Sequence, residues 1–89
     1  MTCIATCYSH FGALRFEHLC QSRSWPARLM PVPRDLSSSC GTCVRYEADT
    51  VPASKDIPGE VEQIVAVEQD CYRTLYRAGN RKEEQDGWI

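Results

Sequence analysis

Two thiols three positions apart stand behind three hydroxyls in "SSSCGTC", Ser37 to Cys43, and this stretch gathers the most reactive chemistry in the chain. A cysteine pair at this spacing can be half of a zinc site, a disulfide-forming redox pair, or one nucleophilic sulfur with a second thiol nearby. Cys40 lies within the polar loop next to Gly41, where a substrate or partner can approach the backbone closely, so Cys40 is read as the nucleophile. Cys43 opens a predicted strand. It is either a resolving thiol that closes a disulfide with Cys40 or an ordinary strand residue.

A closed four-cysteine zinc site would need Cys3 and Cys7 as its second pair. On a strand, positions four apart are separated by about 13 Å, whereas two sulfurs on one zinc lie no more than about 4.6 Å apart. No metal is therefore expected. Cys3, Cys7, Cys20 and Cys71 are read as small apolar fillers of the core.

A nucleophilic thiol needs its anion stabilised, and a helix N-terminus or a nearby cation supplies that. His10 stands at the start of a predicted helix, Arg34 belongs to the loop, and the hydroxyls of Ser38 and Ser39 could meet a bound anion or the thiolate. His10 reads equally well as a solvated helix-cap residue, and serine runs also simply form turns. The candidate set is Cys40 and Cys43 as reacting thiols, with Arg34, Ser38, Ser39, Gly41 and His10 as the binding groups. No Ser-His-Asp order, phosphate-cradling glycine loop or paired acid and base carboxylates stands out.

Periodicity says what must position these residues. "TCIATCYS" alternates, with Cys3, Ala5 and Cys7 on one face and Ile4, Thr6 and Tyr8 on the other, which predicts a first strand. Ser9 or His10 can cap a helix running to about Ser22, with Ala13, Phe16, Leu19 and Cys20 facing inward. Residues 27 to 32 and 43 to 48 read as the next two strands, joined by the reactive loop. A turn containing Pro52 follows. Residues 57 to 69 carry Val61, Ile64 and Val65 at helical spacing, with Glu60 and Glu62 early, and predict a second helix. "CYRTLYR" predicts a final strand. The order strand, helix, strand, strand, helix, strand is the ferredoxin-like βαββαβ pattern of the α+β class, a four-stranded antiparallel sheet with two helices on one face. In that topology the end of the first strand lies beside the start of the third, which makes His10 a neighbour of the Cys40 loop.

The length of 89 residues suits one domain, placed at residues 1–79, with a polar tail at 80–89 anchored only by Trp88. A net charge of -2 argues against general attraction to nucleic acid or anionic lipid. Without an apolar run long enough for a membrane span, or an export signal, the expectation is a soluble cytoplasmic protein whose cysteines are reduced.

The residues "SHFGALRFE" at 9 to 17 and "RLMPVPRDLSSSCGTCVRY" at 28 to 46 resemble a family of small bacterial selenium/sulfur carrier-like proteins. The resemblance implies that Cys40 carries the chalcogen as a persulfide or selenopersulfide, with Arg34, Ser38, Ser39 and Gly41 matching the accompanying motif. It implies a carrier more than a turnover enzyme, with no resident cofactor beyond the transient sulfur or selenium, and with donor and acceptor proteins as partners. A thiol-disulfide protein using Cys40 and Cys43, and a non-catalytic partner- or metal-binding module, stay open as alternatives. So does a homodimer formed through an exposed sheet edge.

Overall fold

The computed structural model describes residues 1–50, 54–69 and 71–78. Five strands and one α-helix follow one another as β1 (Thr2–Cys7), α1 (His10–Ser22), β2 (Ala27–Pro31), β3 (Thr42–Glu47), β4 (Val61–Val67) and β5 (Tyr72–Arg77), with a 3-10 turn at Ser54–Asp56. The strands form one antiparallel sheet in the order β2-β3-β1-β4-β5. The ferredoxin-like expectation is therefore corrected: among the described residues there are five strands instead of four, and one α-helix instead of two.

The error lies in the segment expected to form the second helix. Residues 61–67 are the strand β4, paired with β1 on one side and β5 on the other. Four of its seven residues, Val61, Ile64, Val65 and Val67, are β-branched and favour a strand. A β-bulge disguised it. Cys3 to Thr6 pair with Ala66 to Gln63 in step, but Cys7 pairs with Val61, so Glu62 is an extra residue in the ladder. The insertion puts Val61 and Ile64, three apart, on the same face of the sheet, which is also the spacing of a helix face.

The remaining elements follow their patterns. Ser9 caps α1, its hydroxyl accepting from the Gly12 amide at 3.0 Å. The helix buries Ala13, Phe16 and Cys20 against the face of the sheet formed by Cys3, Ala5, Cys7, Val44, Tyr46, Val61 and Ile64. Tyr46 centres this core, with the Phe16 ring edge-on at 5.3 Å and the Trp25 ring stacked at 5.8 Å. The opposite face holds Ile4, Cys43 and Val65, covered by Met30, Val32, Leu36, Val67 and Tyr72. Val32 and Leu36 belong to the loop between β2 and β3, so the loop that carries Cys40 also covers the face that α1 leaves open.

At the other end of the helix's first turn, a Cβ added to Gly12 would stand 2.6 Å from the Glu60 Cβ. Only glycine lets the start of α1 come this close to the residue before β4. The expected turn at Pro52 and the tail with Trp88 lie outside the described residues. Among the described residues, no helix is long and apolar enough to cross a membrane.

Candidate functional site

The loop of residues 32–41 is closed at its base by the Val32 amide donating to the Gly41 carbonyl at 3.1 Å. Beyond that closure, three elements converge on Cys40. The end of β1 lies beside the start of β3, with Thr6 opposite Cys43. The first residue of α1, His10, places Nδ1 3.2 Å from the Thr42 hydroxyl. From the other side β4 brings Glu62, the bulged residue.

Ser38 and Ser39 hold the loop to these elements. The Ser38 hydroxyl donates to the Cys7 carbonyl at 3.4 Å and accepts from the Cys40 amide at 3.3 Å. Ser39 donates to Glu62 twice, through its amide at 3.2 Å and through its hydroxyl at 2.8 Å. The serine hydroxyls are thus committed to building the turn around Cys40, a different duty from the anion contacts expected of them. The Thr6 hydroxyl, fully buried, also donates to Glu62, at 3.2 Å. Gln63 adds a side-chain bond to the Ser37 carbonyl at 3.1 Å.

Cys40 is partly exposed, and its thiol donates to the Thr42 carbonyl at 3.4 Å. The space beside Gly41 is open, since an added Cβ there would meet no atom within 4 Å. Cys43 is fully buried on the face of the sheet away from α1, with its thiol directed to the Pro31 carbonyl at 3.7 Å. Burial, and next the charge of a Cys40 thiolate, push the Cys43 thiol up to about 11. Cys7 is buried on the helix side. Burial first, then Cys40 and Cys43, push it up to about 12.

His10, Ser38, Ser39, Gly41, Cys40 and Cys43 are thus gathered at one end of the sheet. Arg34 is exposed and has no hydrogen-bond or ion-pair partner among the described residues. Cys71, expected in the core, is exposed instead, because it sits in the turn between β4 and β5. Glu62, Thr6 and Thr42 are the contacting residues that the sequence did not single out. The signal for Glu62 was the polar interruption of an apolar, β-branched run, the mark of a bulge. Among the described residues, no group of three His, Cys, Asp or Glu side chains is placed to hold a metal ion.

A family model described as "Putative Se/S carrier protein-like" matches residues 2–67, from β1 to the end of β4. The chain belongs to this family. The match takes in Cys40 and the residues hydrogen-bonded to its loop, Cys7, Glu62 and Gln63, and leaves out β5. No curated protein and no solved structure matches the chain.

Proposed function

We propose that the domain holds sulfur or selenium on Cys40, as a persulfide or selenopersulfide, and passes it to an acceptor thiol. Membership of a carrier-like family supports the reading, and the observation that carries it is the contrast among the cysteines. Cys40 alone combines partial exposure with a loop built around its sulfur.

Loading begins when the Cys40 thiolate attacks the terminal sulfur of a donor persulfide. A new sulfur–sulfur bond forms on Cys40, the donor's sulfur–sulfur bond breaks, and the donor thiolate leaves with the electron pair. Delivery is the same exchange in reverse order, with an acceptor thiolate attacking the terminal atom and Cys40 leaving. Selenium follows the same course as the terminal atom of a selenopersulfide. Neither step consumes an oxidant, because the transferred atom moves at constant oxidation state. Arg34, exposed in the same loop, and His10, whose ring meets the Thr42 hydroxyl, are the groups that would receive an anionic terminal atom. Cys43 takes no part in this cycle. Its burial, which pushes the thiol up to about 11, disfavours the thiolate that attack requires, which counts against a working Cys40–Cys43 redox pair.

The test is intact-mass spectrometry of the purified protein before and after exposure to a small-molecule persulfide or a selenopersulfide donor. One added sulfur or selenium atom, mapped by peptide analysis to Cys40 and lost in Cys40→Ser, is the expected outcome. Equal loading of the Cys40→Ser variant refutes the assignment.

A further inference from the structure

We propose that Glu62 is the positioning residue of the reactive loop, fixing the Ser38–Ser39 peptide and the Ser39 hydroxyl so that the Cys40 sulfur is held for attack. The proposal deepens the carrier reading and rests on it for its biological meaning, though the geometry concerns Cys40 reactivity as such.

Three features converge on this residue. Glu62 is the extra residue of the β4 bulge, and a bulge turns a side chain out of the alternation of its strand. Its carboxylate then receives three donors: the Ser39 amide, the Ser39 hydroxyl and the Thr6 hydroxyl. A carboxylate has two acceptor oxygens, so one side chain can satisfy all three donors. Its backbone is fixed from behind as well, because the Glu62 carbonyl accepts the Ala78 amide at 3.0 Å, tying the end of β5 to the same residue. The grip on Ser39 is applied at the residue next to Cys40, while Ser38 secures the Cys40 amide from the other side. Glu62 touches no sulfur in these contacts. It acts through the backbone of the loop.

The neighbouring acid is committed elsewhere. Glu60 pairs with Arg15 at 3.0 Å on the outer side of α1 and takes no part in the loop. The two carboxylates, two residues apart, therefore serve different elements, and only the bulged one reaches Ser39.

The test compares alkylation of each cysteine by iodoacetamide in the intact chain and in Glu62→Ala, Glu62→Gln and Ser39→Ala, read by peptide mass spectrometry. Exposed Cys71 is the internal reference. Glu62→Ala is expected to change the Cys40 rate at least tenfold relative to Cys71, while Cys7, Cys20 and Cys43 stay protected. Glu62→Gln keeps an acceptor for the Ser39 amide and a donor for its hydroxyl, and is expected to return the Cys40 rate to within about threefold. Ser39→Ala, at an exposed side chain, is expected to shift it in the same direction by a smaller factor. A Cys40 to Cys71 ratio unchanged within twofold in Glu62→Ala overturns the proposal. Should Glu62→Ala expose the buried cysteines together, an unchanged ratio in Ser39→Ala overturns it instead. Because alkylation needs no chalcogen, a protein that fails to take up sulfur refutes the carrier role and leaves this result readable.

Discussion

Cys40 and Cys43 are three residues apart and occupy different chemical worlds. Cys40 sits partly exposed in a turn held by serine hydroxyls and a carboxylate, with open space beside Gly41. Cys43 has no exposed surface, points to a strand carbonyl, and packs with Ile4 and Val65. Spacing in sequence suggested a pair. The structure separates them by environment: one thiol is presented to solution, and the other is a core residue that happens to contain sulfur.

The sharpest way to break that contrast is to measure both thiols in one molecule. At pH 8 we expect iodoacetamide to modify Cys40 at least about a hundredfold faster than Cys43, since burial and scarce thiolate act together on the second. Comparable rates, with the fold intact by circular dichroism, would dissolve the distinction.

A second measurement sharpens it through stability. Burial raises Cys43 to about 11, and Cys7 and Cys20 to about 12, above the ordinary thiol range. In the unfolded chain these thiols ionise near pH 9, so above that the folded state holds more protons than the unfolded one. The stability they contribute is complete below about pH 9 and is lost as pH rises through 11 and 12. Each thiol contributes about 1.4 kcal/mol of loss per pH unit within that window. Urea midpoints taken at pH 8, 9 and 10 should stay level and then fall; level midpoints throughout would mean that the three sulfurs are not truly desolvated.

The smallest expected effect is that of Cys43→Ala. Removing one buried sulfur should cost about 1 kcal/mol in denaturant unfolding and leave chalcogen loading of Cys40 at the wild-type level. Loss of loading in a folded Cys43→Ala would restore the two-thiol mechanism.

Much of this organisation was legible in the sequence up to residue 48. The alternation of "TCIATC" put Cys3, Ala5 and Cys7 on one face and Ile4 on the other, and the two cores divide them in that way. Ser9 announced its helix, and the polar character of residues 33 to 42 marked the loop. After that point, one residue misled. The Glu62 insertion shifted the apolar face of β4 from period two to a spacing of three, and a strand looked like a helix. With that strand lost, the sheet was short by one member, the fold class was wrong, and Glu62 was read as an early residue of a helix instead of the partner of Ser39. Cys71 failed for a related reason: a sulfur at the edge of an apolar strand pattern is buried or bare depending on which turn carries it. No pattern within seven residues decides that.

The bond between Ser39 and Glu62 also joins residues that leave the ribosome at different times. When Cys40 first emerges, the carboxylate that clasps its neighbour has not been synthesised, and β4 must still be made and docked against β1. The arrangement around the sulfur is thus completed by one of the later pairings of the chain. A nascent or truncated polypeptide ending before residue 61 would display the "SSSCG" letters without the anchored loop. The anchored loop is thus a property of the assembled sheet and not of the motif alone.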